Sequence, residues 1–118
     1  MEYASGTGPF CHGVPDETVL KDGDIVNIDV TSIKNGFFGD TSATFYVGNV
    51  SEEAKRLTEC AKEAMWKGIA EVGPYKTTGD IGFAINKFVT KQGFYVVKEI
   101  GGHGIGKSFH GDPFVPSH

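Results

Sequence analysis

Asp29 and Asp40 are the residues of this sequence best placed to do chemistry. Two carboxylates held close together repel one another unless a cation sits between them, and a hard or borderline divalent metal suits that position. A third donor lies far along the chain. His103 has glycine on both sides in Gly101-Gly-His-Gly-Ile-Gly106, which frees the backbone to bend and lets a bound group approach. A neutral imidazole there would complete a mixed oxygen and nitrogen shell of the kind Mn, Fe, Co or Zn accept. His110, seven residues on, is a second polar group on the same stretch. Against these stand simpler roles: a polar hairpin face that water covers, and a histidine that only hydrogen-bonds in its loop.

The element that must position the aspartates is a β-hairpin. Asp24-Ile-Val-Asn-Ile-Asp-Val-Thr-Ser-Ile33 alternates as a strand does, and so do residues 37–47. Between them stand Asn35 and Gly36, which tolerate the positive φ of a type I′ turn. With that two-residue loop Lys34 pairs with Phe37, and the register follows. Val26 meets Phe45, Ile28 meets Ala43 and Val30 meets Thr41 on a mostly apolar face. Asn27, Asp29 and Thr31 lie against Thr44, Ser42 and Asp40 on the other. Asp29 and Asp40 are then diagonal neighbours, their backbones roughly 7–8 Å apart. A slip of one residue would put them on opposite faces.

Downstream, Ser51 caps a helix whose Ala54, Leu57, Ala61, Ala64, Met65 and Ile69 recur on one face and read as core. Gly73-Pro74 ends it. A second helix spans 79–92, with Thr78 as its cap, Ile81, Ala84, Ile85, Phe88 and Val89 inward, and Gly93 as its stop. Residues 94–100 read as a strand running into the glycine turn. This order predicts an α+β fold, a mainly antiparallel sheet with two helices covering one face. The chain reads as a single domain over 1–118, with an irregular segment at 1–9 and an extended tail at 107–118.

Composition narrows the function. A net charge of −4 and a pI near 5.5 argue against nucleic acid as a partner, since phosphate binding needs a basic face. No apolar run is long enough to span a membrane, and the first residues lack a signal peptide's basic start and apolar stretch. Two isolated cysteines without an export signal point to a reducing, cytoplasmic setting. Cys60 reads as buried and inert, and Cys11 as packing beside a functional His12, because neighbours in an extended segment face opposite ways. Gly101-Gly-His-Gly-Ile-Gly-Lys-Ser108 fits the pattern of a phosphate-binding loop. The glycine and two prolines that follow, however, oppose the helix such a loop requires.

Four stretches resemble the bacterial and organellar methionine aminopeptidases: Cys11-His-Gly-Val-Pro15, Asp22-Gly-Asp-Ile-Val-Asn-Ile-Asp-Val-Thr31, Asn35-Gly-Phe-Phe-Gly-Asp-Thr-Ser42, and Gly102-His-Gly-Ile-Gly106 with Phe109-His110. They occur in that family's order and spacing. The resemblance implies a pita-bread fold, one or two divalent metals (Co, Mn, Fe or Zn) and removal of the initiator methionine from nascent polypeptides. It makes Asp29 a ligand that is often bidentate, Asp40 a ligand shared by both metals, and His103 the nitrogen ligand. It gives His12 a substrate contact near the scissile bond, His110 the carbonyl or its oxyanion, and Phe109 the methionine side-chain pocket.

The family's site also uses two glutamates from its C-terminal part, one of them the general acid/base. After His103 this sequence has one acidic residue, Asp112. The 118 residues therefore resemble the middle of such an enzyme, and their own activity is expected to be impaired. The expected partners are peptide or nascent-chain N-termini, and a second copy of the chain where sheet edges and apolar faces lie open. The competing class is a non-catalytic pita-bread module that binds proteins or peptides.

Overall fold

A computed structural model describes residues 2–3 and 13–118. Its elements are β1 (Glu2–Tyr3), β2 (Ile25–Lys34), β3 (Phe37–Tyr46), α1 (Glu52–Ala70), α2 (Thr78–Lys91), β4 (Gly101–Gly104) and β5 (Gly111–Pro116). The mixed α+β composition is as expected. The strands, however, form two antiparallel sheets rather than one, β1-β2-β3 and β4-β5. The chain divides into two compact units, Met1–Arg56 and Leu57–His118.

In the first unit Asn35 and Gly36 take φ of 53° and 79°, the positive values a type I′ turn demands. The register of β2 and β3 then runs from Lys34 opposite Phe37 to Ile25 opposite Tyr46, as the turn predicts. Beyond the strands the ladder continues through Val47 N–H to Asp24 C=O (2.9 Å) and Gly23 N–H to Val47 C=O (2.8 Å). Ile25, Val26 and Val50 are buried at this end. Toward the turn the apolar face stays open, with Val30 exposed.

In the second unit the buried face of α1 shares only Ala64 with the predicted stripe. Cys60, Ala64 and Gly68 are buried, whereas Leu57, Met65 and Ile69 are 45%, 47% and 49% exposed. The reason is steric. A Cβ on Gly68 would stand 2.8 Å from Ile85 Cδ1 and 3.1 Å from Ile81 Cγ2, so α2 approaches α1 along its smallest residues. Cys60, Ala64 and Val89 form the core, with Ile85, Phe88, Phe94 and Val96 packed around it. Burying one such valine contributes ~1.5–3 kcal/mol. Cys60 is buried, as predicted.

The cap of α2 is Thr77, not Thr78. Its hydroxyl accepts from Asp80 N–H at 3.3 Å, and the Asp80 carboxylate accepts from Thr77 N–H at 2.7 Å. This reciprocal box satisfies two orphan donors of the first turn. At the other end Gly93 N–H donates to Thr90 C=O and Phe94 N–H to Val89 C=O, with Gly93 at φ 82°. That is a Schellman stop at the predicted glycine.

Residues 94–100 do not form the expected strand. The Phe94 amide is taken up by the helix end, and Phe94 and Val96 pack on the helical core. The strand begins at Gly101 and pairs with β5 inside the expected tail. The segment after the glycine turn is therefore β5, not the helix a phosphate-binding loop needs.

Candidate functional site

On the polar face of the hairpin, Asn27 is opposite Thr44, Asp29 opposite Ser42 and Thr31 opposite Asp40. Asn27 Nδ2 donates to Thr44 Oγ1 at 3.1 Å, and Thr31 Oγ1 donates to Asp40 Oδ1 at 3.0 Å. Thr31 thus fixes the orientation of Asp40, while Asp40 Oδ2 takes no donor among the described residues. Asp29 is exposed on the same face, at the diagonal position. The nearby acids have other duties. Asp22 Oδ1 accepts from Asn49 N–H at 2.8 Å and Asp24 Oδ2 from Lys21 N–H at 2.9 Å, so both organise the base of the hairpin.

In the second unit His103 stands on β4, opposite Phe114. Its Nδ1 lies 2.9 Å from Gly104 C=O. A carbonyl can only accept, so this contact places a proton on Nδ1, and in the neutral ring Nε2 is the nitrogen with the lone pair. Histidines that bind metal through one nitrogen characteristically donate the other to a carbonyl or carboxylate. The link from β4 to β5 brings two further predicted residues to this ring. The Phe109 and His110 ring centroids are 5.8 Å and 4.4 Å from that of His103, and 4.1 Å from each other. The glycines here make room for β5 rather than for a bound group. A Cβ on Gly101 would stand 2.5 Å from Val115 O, and one on Gly104 would strike the Asp112 carbonyl.

The predicted residues therefore fall into two sets, Asp29 with Asp40 and His103 with Phe109 and His110. Among the described residues no three His, Cys, Asp or Glu side chains gather as a metal cluster. His12 lies outside the described residues. Each set taken by itself has donors a divalent metal accepts: in the first unit two carboxylates on one face, one of them oriented by a hydroxyl, and in the second an imidazole. Two features escaped the sequence reading. One is Thr31, although its cross-strand pairing with Asp40 was the available signal. The other is a cavity of about 480 Å³ on the wall of which His103 sits, lined also by Met65, Ile69, Ile81, Ile85 and Val115.

A model of metallopeptidase family M24 matches residues 3–118. The methionine aminopeptidase of Rickettsia prowazekii (strain Madrid E) is 50% identical over 105 residues, covering 89% of this chain and 40% of that protein. That of Escherichia coli (strain K12) is 51% identical over 106 residues, again 89% and 40%. The crystal structure of methionine aminopeptidase from Rickettsia prowazekii superposes with a TM-score of 0.90 at 48% identity, covering 92% of this chain and 44% of that one. The fold is accordingly part of the pita-bread fold. The chain spans about 40% of the length of these curated relatives.

Proposed function

The chain belongs to metallopeptidase family M24, and from that premise we propose that it acts on peptide and nascent-chain N-termini in the cytoplasm, as metal-dependent machinery for removing N-terminal methionine. Relatives of that name at 50% and 51% identity support the reading. The observation that carries it is the shared hairpin face of Asp29 and Asp40, with Asp40 oriented by Thr31.

Asp29, Asp40 and His103 Nε2 are the ligands of one or two divalent ions. Such an ion supplies Lewis acidity, bringing the pKa of a water toward neutrality and polarising the scissile carbonyl. His103 keeps its proton on Nδ1, toward Gly104 C=O. His110 donates to the substrate carbonyl as negative charge develops on it, His12 contacts the substrate beside the bond to be cut, and Phe109 lines the pocket for the methionine side chain.

One observation favours a second reading, a peptide-binding module without turnover: among the described residues no three His, Cys, Asp or Glu side chains gather as a metal cluster. Methionine release from a Met-Ala-Ser peptide with added Mn²⁺ or Co²⁺ should be metal-dependent and lost in Asp40→Asn. Calorimetry with Mn²⁺ separates the readings where release is too slow to see. Equal binding by wild type and Asp40→Asn overturns the metallopeptidase and leaves the module.

A further inference from the structure

We propose that the groove between α1 and α2 docks an acidic peptide segment of a partner protein, one that sets an apolar side chain between carboxylates. The groove holds about 300 Å³, and none of Asp29, Asp40, His103, Phe109 or His110 lines it. Its floor is apolar, with Ala70 from α1 and Ala84 and Phe88 from α2. Its walls are basic, with Lys67 on α1 and Lys87 and Lys91 on α2. Helical spacing explains why these residues share one groove. On α2 positions 84, 87, 88 and 91 fall on a single stripe, and so do 67 and 70 on α1.

The charge of this groove is not balanced from within. Glu71 is the carboxylate among its lining residues, and Lys76 Nζ holds it at 2.7 Å. Lys67 Nζ reaches Glu63 only at 3.8 Å, with both side chains more than half exposed, a geometry that contributes little. The same Nζ lies 5.8 Å from the Phe88 ring centroid, within range of the ring's negative face. Lys87 and Lys91 have no carboxylate partner among the described residues. They stand one helical turn apart, ~5–6 Å between Cβ atoms, where like charges work against the helix. Covering this floor with apolar protein would strand three ammonium groups away from water. A partner that brings its own carboxylates avoids that cost and still covers the apolar floor.

A protein segment suits the groove better than nucleic acid does. The whole chain carries a net charge of −4, which repels a long polyanion, and the walls offer lysine rather than the arginine fork that grips phosphate in two places. An amphipathic peptide laid in a groove presents an anchor residue with neighbours one turn to either side. Carboxylates at those neighbouring positions would meet the lysines while the anchor rests on Phe88. Ion pairs at such a rim set encounter rate and selectivity, and the aromatic floor supplies the desolvated contact.

Fluorescence anisotropy with the labelled peptide Glu-Glu-Glu-Leu-Phe-Glu-Glu-Glu should show saturable binding to the chain that weakens as salt rises. Replacing Leu-Phe in the peptide by Ser-Ser should abolish it. The double variant Lys87→Glu with Lys91→Glu should bind the acidic peptide at least ~10-fold more weakly and should gain affinity for the peptide carrying lysine at every glutamate position. Ala70→Phe fills the floor and leaves every charge in place, so it too should weaken binding. The proposal is overturned by a lack of saturable binding at low salt, by equal affinity for the Ser-Ser peptide, by unchanged affinity in either variant, or by tighter binding of oligouridylate than of the acidic peptide. The last result would make the groove a nucleic-acid surface. The gain of the lysine peptide by the charge-reversed variant keeps the test decisive should Ala70→Phe fold poorly.

Discussion

Thr31 is the residue on which the hairpin's chemistry turns most sharply. Its hydroxyl bond to Asp40 Oδ1 leaves the other carboxylate oxygen for a ligand and holds the group in one orientation. Replacing Thr31 by valine keeps the β-branched shape, so the strand should persist. Loss of such a supporting bond typically weakens a metal site 10–100-fold. We expect Thr31→Val to bind Mn²⁺ at least ~10-fold more weakly by calorimetry, with an unchanged far-ultraviolet spectrum. Equal affinity would mean that Asp40 is not a ligand or needs no orientation. The pairing of Asp29 and Asp40 on one face was legible because a strand's period is two and Asn35-Gly36 sets the register. The tautomer of His103 was not legible, because it depends on where the Gly104 carbonyl turns, and nothing local in the sequence encodes that.

Among the elements, the helices show where periodicity misleads. The apolar stripe of α1 points to its largest residues, Leu57, Met65 and Ile69, but close packing of two helices selects the smallest, Cys60, Ala64 and Gly68. Met65 and Ile69 instead line the open cavity beside α2, together with Ile81 and Ile85. The start of α2 was misjudged by one residue because Thr77 and Thr78 both fit a cap, and only Thr77 stands three residues before Asp80. The backbone N–H of Thr77, and then its hydroxyl, hold the Asp80 carboxyl below the usual carboxylate range. A carboxyl whose pKa is lower folded than unfolded stabilises the fold above its unfolded pKa, ~3.9. That contribution is lost as the pH falls through the folded value. Urea unfolding between neutral pH and pH ~3 should therefore show a smaller acid loss of stability in Asp80→Asn than in wild type. Parallel loss in both would remove Asp80 from the cap's energetics. Glu71, which hydrogen-bonds Lys76 at 2.7 Å and raises its pKa, works in the opposite sense, only at alkaline pH.

At the scale of the whole molecule, the hairpin was readable from local turn chemistry, whereas the partner of β4 was not. Pairing Gly101–Gly104 with Gly111–Pro116 depends on glycines that admit a neighbouring backbone, and glycine-rich sequence alone does not name that neighbour. The result is a chain of two units, each with buried apolar residues of its own, and the proposed ligands divided between them. A ligand that binds only the folded chain stabilises it by ~2.7 kcal/mol at a hundredfold excess over Kd. If Asp29, Asp40 and His103 are ligands of the same ion, that stabilisation must be felt in both units. Hydrogen exchange with saturating Mn²⁺ should then protect amides of β2 and β3 together with those of β4 and β5. His103→Ala should abolish the gain in the hairpin as well as in its own sheet, and Asp40→Asn should likewise abolish it in β4 and β5 as well as in the hairpin. Protection confined to the hairpin, and indifferent to His103→Ala, would mean that the two aspartates bind the ion unaided and that the imidazole belongs to a separate function.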